Sequence, residues 1–239
     1  MVKIFIDPGH GGTDPGAVGN GLLEKVLTLT ISYKIRDLLL QFEGVQVKLS
    51  REGDQTLSLK QRTDMANKWG ADFLLSVHIN AGGGTGFESF IHPNSSAASI
   101  AHQNVIHPEI MKLLDFVDRE KKRKNLHMVR ESKMPAILTE YGFIDNANDA
   151  AKLKQDVYLN KIAQGHVNGL VKAFGLKKKE GVVSVDGELS KEQEKIRQEA
   201  ISLRITDGKE PHGEINRLYL WSAMIPLARR VEELEKKLK

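Results

Sequence analysis

The sequence predicts an α/β fold in which a mostly parallel sheet is flanked by helices, followed by a small helical C-terminal module. Three observations predict it. Short apolar runs of strand length alternate with amphipathic stretches of helix length through residues 1–175. That alternation has the rhythm of strand–helix–strand units, whose crossovers favour parallel pairing. After Gly175 the pattern gives way to a charged stretch and then to helical periodicity alone.

Taken in order, Val2 to Ile6 reads as a buried strand that breaks at Asp7-Pro8-Gly9. From Glu24 to Phe42 the apolar residues Leu27, Ile31, Ile35, Leu38, Leu39 and Phe42 recur at steps of three and four, one face of a helix. Val45 to Leu49 is a second strand. Leu57 to Trp69 reads as a helix, with Leu59, Arg62, Met65, Ala66 and Trp69 on one side. Asp72 to Ile79 is a third, strongly apolar strand, and Phe87 to Ile91 a fourth. Ser95 to Asp115 reads as helical, with Pro108 interrupting or restarting it. Pro135 to Tyr141 is another buried strand. Val157 to Phe174 closes the domain as an amphipathic helix that Gly175 is placed to stop. The expected organisation is a domain at 1–175, a linker at 176–190 and a helical module at 191–239.

Composition narrows the chemistry. The 239 residues are 40% apolar and 28% charged, ordinary for a globular chain. The formal charge of +4 is divided evenly between residues 1–175 and the remainder, which gives no basis for nucleic-acid binding. There are no cysteines, so disulfides, thiolate catalysis and Cys-type zinc sites are excluded. A metal would need His and carboxylate ligands. No run approaches the roughly 20 apolar residues of a membrane span. The start, MVKIFIDPGHGG, lacks the apolar core of a Sec signal, so synthesis in the cytoplasm without that export route is expected.

In an open parallel sheet, ligands bind beyond the carboxyl ends of the strands. His10 follows the first strand, and His78 and Glu140 lie near the ends of two others. Glu24 falls in the first turn of the helix returning from the first loop. Two imidazoles and one carboxylate around zinc leave the fourth position open for water, and a second carboxylate can then move a proton. Each residue also has a plainer reading: His10 as a loop residue, His78 as a satisfied core histidine, Glu24 as a carboxylate favoured at a helix N-terminus. Glu140 is hardest to dismiss, since a buried carboxylate needs a partner.

The segments IDPGHGGTDPGA, LLEK, LSRE, QRTDMAN, ADFLLSVHINA and AILTEYGFIDNAND resemble, in that order, the zinc-dependent N-acetylmuramoyl-L-alanine amidases called Amidase_3, over about residues 1–175. The resemblance implies that Zn2+ is held by His10, Glu24 and His78 and that Glu140 is catalytic. It further implies a twisted sheet and cleavage of the peptidoglycan amide between N-acetylmuramic acid and L-alanine. Two alternatives stay open: a non-catalytic wall-binding or regulatory relative, and a zinc deacetylase acting on wall sugars. With the ligand set filled, His92, His102, His107, His127 and His166 fall outside it. Arg51 reads as a loop brace ahead of a substrate-binding group. Asn80 reads equally as a group orienting substrate or His78 and as the cap of the next turn. The basic run Arg119 to Lys124 reads as a solvated loop, with contact to anionic wall polymers as the alternative.

Beyond residue 190, the stretch Ala200 to Gly208 followed by Ile215-Asn216-Arg217 resembles a helix–turn–helix unit found at the ends of phage wall hydrolases, with Arg204 where glycine is usual. It implies attachment to the wall, through anionic polymers, against the alternatives of a stabilising cap or a dimerising helix. Pro226 and the short stripe argue against a sustained coiled coil. Together these features favour a phage or prophage endolysin released by lysis or a holin-type pore, ahead of a sporulation lysin.

Overall fold

The computed structural model describes residues 1–179, which form one unit; the expected helical module at 191–239, with Pro226, lies outside the described residues. Six strands make the sheet: β1 (Val2–Pro8), β4 (Val45–Leu49), β5 (Phe73–Asn80), β6 (Phe87–Ile91), β7 (Asp118–Arg123) and β8 (Ala136–Phe143). Their order is β4-β1-β5-β8-β6-β7. The first four run parallel, β6 meets β8 antiparallel, and β7 follows β6 in parallel. A two-stranded hairpin, β2 (Val18–Gly19) with β3 (Leu22–Leu23), stands apart in the loop after β1.

The alternation of strand side chains builds two cores. Ile4, Ile6, Phe73, Leu75, Val77 and Ile137 point to one face, covered by the long helices α1 (Glu24–Leu39), α3 (Ala97–Met111) and α6 (Asp156–Phe174). Phe5, Leu74, Phe90, Ala136 and Leu138 point to the other, where α2 (Leu59–Trp69) and the four-residue α4 (His127–Arg130) give shorter cover. A further short helix, α5 (Ala147–Leu153), follows β8. His78, Glu140 and Glu88 share strand parity with Leu74, Leu138 and Phe90. They therefore extend along the less covered face, toward the end of the sheet where β1, β5 and β8 finish and β6 begins.

Helix limits follow local chemistry. Ser58 caps α2 in a reciprocal capping box with Gln61, and Gly70 and Gly175 end α2 and α6 in the left-handed region at φ 66° and 60°. Helix α3 runs unbroken through Pro108, contrary to the expected interruption. Pro108 sits in its last turn, so the ring removes a single hydrogen bond there, and Lys112 N still bonds Pro108 O at 3.1 Å. The basic run is also corrected: residues 118–123 form the edge strand β7 rather than a loop. Its residues are all charged, with Arg119 and Lys122 half-buried and the rest exposed, and carry no apolar signal, because an edge strand packs little and is guarded by charge.

Candidate metal centre and active site

The loop after β1 is held by backbone-directed arginines. Arg62 of α2 donates to Asp7 Oδ1 at 3.0 Å, Pro8 O at 2.7 Å and His10 O at 2.6 Å. Arg51 donates to Pro8 O, Gly9 O, Lys25 O and the Thr28 hydroxyl, and is buried. Arg51 therefore braces the loop and is not available to substrate. Fixing three successive carbonyls holds His10 at φ 61°, a left-handed conformation that a side chain other than glycine rarely adopts.

Glu24 is the centre of the cluster. Its Oε1 lies 3.1 Å from His10 Nε2 and 3.0 Å from His78 Nδ1, and accepts the Ile79 amide at 2.9 Å. Its Oε2 accepts the Ala17 amide at 2.8 Å. Asp14 Oδ2 sits 2.8 Å from His10 Nδ1, which fixes the tautomer that leaves Nε2 facing Glu24. One atom from each of His10, Glu24 and His78 lies within 4.8 Å of the others, and no other such group occurs among the described residues. Zinc bonds of about 2.0–2.2 Å to His and carboxylate ligands put neighbouring ligand atoms roughly 3.3 Å apart, so this donor set fits that ion.

The electrostatics follow from the shared carboxylate. Burial works to lower the His10 pKa, but Glu24 and Asp14 outweigh it and raise it to about 9. His78 is likewise raised: burial opposes, while Glu24 and Glu140 prevail. Burial would raise Glu24, yet the two imidazoles hold it far below the usual carboxylate range.

Two glycines let backbone meet these side chains directly. A Cβ at Gly9 would lie 2.3 Å from the His78 ring. One at Gly16, which also sits at φ 66°, would lie 2.6 Å from both Glu24 Oε2 and the His10 ring. Gly16→Ala is expected to keep the fold and weaken zinc binding by roughly 10–100-fold, the scale of losses when groups orienting a ligand are disturbed. Gly70→Ala, at the same φ of 66° with open space around its Cβ, is the control for backbone strain. Equal zinc affinity for the two variants in equilibrium dialysis would refute the steric account.

Glu140 is brought to the cluster by pairing. His78 of β5 stands opposite Glu140 of β8, which stands opposite Glu88 of β6. Glu140 Oε2 is buried and has no hydrogen-bond partner among the described residues. Burial raises its pKa to about 7, against the pull of His78 and with help from Glu24 and Glu88. Glu88 goes the other way. Burial opposes its ionisation, but Lys122, Arg119 and Asn80 hold its pKa low. Asn80 donates to Glu88 Oε1 at 2.5 Å while its own Oδ1 accepts the Ala81 amide, so it caps the turn and anchors Glu88.

The other histidines among the described residues have other partners. His107 bridges Ser89 and Asp118, His166 pairs with Tyr141, and His102 packs between Phe73 and Phe174. His127 meets Thr63 Oγ1 at 3.3 Å, and His92 accepts the Asn94 amide. Sequence reasoning missed Asp14, Arg62 and Glu88. Asp14 carries no periodic signal of its own, whereas Arg62 had one, a cation on the helix side shared with Leu59, Met65, Ala66 and Trp69. Glu88 had one, being a carboxylate within the otherwise strand-like run Phe87 to Ile91.

The family described as N-acetylmuramoyl-L-alanine amidase matches residues 4–172. Over 179 residues the chain is 58% identical to a sporulation-specific N-acetylmuramoyl-L-alanine amidase of Bacillus subtilis (strain 168), covering 74% of this chain and 70% of that protein. It is 42% identical to an endolysin of Bacillus phage SPP1, covering 74% and 68%. Among solved structures, it is similar to the catalytic domain of the N-acetylmuramoyl-L-alanine amidase CwlV from Bacillus (Paenibacillus) polymyxa var. colistinus. The TM-score is 0.71 and the identity 34%, over 74% of this chain and all of that one.

Proposed function

Because this chain belongs to the N-acetylmuramoyl-L-alanine amidase family, we propose that it cleaves the peptidoglycan amide between N-acetylmuramic acid and L-alanine, with His10, Glu24 and His78 holding zinc and Glu140 moving the proton. The observation that carries this is the convergence of His10 Nε2, Glu24 Oε1 and His78 Nδ1 beside a buried carboxyl oxygen that lacks a partner.

Zinc, when bound, supplies a Lewis acid that polarises the scissile carbonyl and makes water a stronger nucleophile. The chain's residues do the rest. Asp14 keeps the proton on His10 Nδ1, so Nε2 stays free to ligate. Glu140 accepts a proton as water attacks the carbonyl carbon. It returns that proton to the L-alanine nitrogen as the carbon–nitrogen bond breaks, leaving a lactyl carboxylate and a free amine. A pKa near 7 lets one carboxyl act as base and then as acid close to neutrality.

The work is done at the cell wall, and similarity to a phage endolysin supports release by lysis or a holin-type pore. No helix of the described residues is long and apolar enough to cross a membrane. Attachment to anionic wall polymers through residues 191–239 rests on the sequence pattern alone. The test is digestion of purified wall. Chelation is expected to abolish release of amino-terminal L-alanine, and zinc to restore it. Reducing sugar ends instead would mark a glycosidase, acetate a deacetylase, and no product a non-catalytic relative.

A further inference from the structure

The row of side chains that begins at the metal ligands continues past Glu140. Glu88 holds two cations from β7 on one oxygen: Arg119 Nε donates to Oε2 at 3.0 Å and Lys122 Nζ donates to the same atom. Its other oxygen is taken by Asn80. One cation would neutralise one carboxylate, so this cluster ends the row with a surplus positive charge.

Arg119 also lies over an aromatic ring. Its guanidinium lies 4.9 Å from the centroid of the Phe143 ring. Phe143 reaches that place through a bulge. From His78 to Asn80 strand β5 advances two residues, while β8 advances three, from Glu140 to Phe143. The extra residue is accommodated at Gly142, with φ 64°, and Asp149 pins the bulge by accepting the Phe143 and Gly86 amides at 2.9 Å. The bulge keeps Phe143 in register with Asn80, on the face that carries the site. Arg119 spends only Nε on Glu88. Its two terminal nitrogens have no partner among the described residues, and 34% of the side chain is exposed.

We infer that Arg119, stacked on Phe143 and tethered by Glu88, binds a carboxylate of the stem peptide and with Lys122 forms a subsite that selects an acidic second residue. The inference rests on the amidase function proposed above. Strands lie about 4.8 Å apart, so β7 is roughly 10 Å from Glu140. An extended peptide advances about 3.4 Å per residue, and the long Arg119 side chain spans the remainder. A carboxylate on the second residue therefore meets the guanidinium fork while the scissile amide faces Glu140.

The test uses the full chain and two synthetic N-acetylmuramoyl tetrapeptides whose second residue is a glutamate, linked onward through one carboxyl, and which differ only in whether its other carboxyl is a free carboxylate or a carboxamide. The wild type is expected to prefer the carboxylate form by about tenfold or more in kcat/KM, mainly through KM, as a charge-assisted pair would give. Arg119→Gln should shrink that preference below about threefold, and Arg119→Lys should keep part of it. No preference in the wild type overturns the inference. So does a preference left intact in Arg119→Gln, whatever its kcat, since that would mean Arg119 merely steadies Glu88. If Arg119→Gln fails to fold, inhibition of the wild type by the two matching free dipeptides decides, and equal inhibition overturns it. Hydrolysis of neither tetrapeptide counts against the amidase function itself.

Discussion

Glu140→Gln is expected to lower kcat on purified wall by about a thousandfold or more, at the upper part of the range for general acid–base groups. The carboxamide keeps the shape and one oxygen but cannot take a proton from water or return it to nitrogen. Zinc content should not change, because the ligand atoms belong to His10, Glu24 and His78. Stability should change, and in the direction opposite to activity. In metal-free protein the Glu140 pKa is raised to about 7 by burial. A group raised in the folded state gives full stability below its unfolded value near 4.5 and loses it as pH rises through 7. Ionising this carboxyl thus costs up to about 3 kcal/mol by pH 8, a cost that glutamine removes. Thermal melts at pH 5 and pH 8 should show the variant gaining only at the higher pH. Wall lysis by Glu140→Gln at the wild-type rate would remove Glu140 from the reaction.

The conflict between activity and stability at Glu140 also explains why the site was partly legible in the sequence. A carboxylate within Pro135 to Tyr141, or a histidine inside a run as apolar as Asp72 to Ile79, breaks the local pattern. His10, Glu24, His78 and Glu140 could be found in this way because parallel strands end on a common edge. Arg119 and Lys122 could not, and Glu88, though a carboxylate within the strand-like run Phe87 to Ile91, could not be placed beside the others. They enter from β6, which runs antiparallel to β8, and from β7, whose charged sequence has no apolar period. Direction of pairing is a tertiary property, and edge strands are selected for charge rather than burial. Asp14 and Arg62 were hidden for another reason. Their contribution is to hold His10 by hydrogen bonds to its ring and its carbonyl, partners that a loop position or a place on a helix face does not reveal. The short cover of α2 and α4 likewise depends on where α4 docks.

Glu24→Gln is expected to cost at least about 100-fold in zinc affinity, and wall hydrolysis with it, because it removes the one charge both histidines share. The amide still offers one oxygen to the Ile79 or Ala17 amide, so the fold should persist. Its distinguishing signature is in pH. In metal-free wild type the His10 pKa stands at about 9, so its contribution is fully present below the unfolded value near 6.5 and fades as pH rises through 9. That contribution is at most about 3 kcal/mol. Glu140 loses stability over an overlapping range, so the two groups act together and metal-free protein should weaken steadily from pH 6 to 9. Zinc reverses this by taking the place of the proton on His10. Binding must then release a proton from His10, and a second one wherever His78 is protonated, so affinity should rise at least about tenfold per pH unit below 9, and the zinc-dependent gain in Tm should grow with pH. In Glu24→Gln the main upward pull on both imidazoles is gone, while Asp14 still acts on His10 and Glu140 on His78, so the metal-free decline shrinks and the zinc affinity rises less steeply with pH. A zinc affinity that is pH-independent in the wild type, measured by chelator competition from pH 6 to 9, would show that Glu24 does not hold a proton in the place where the metal binds.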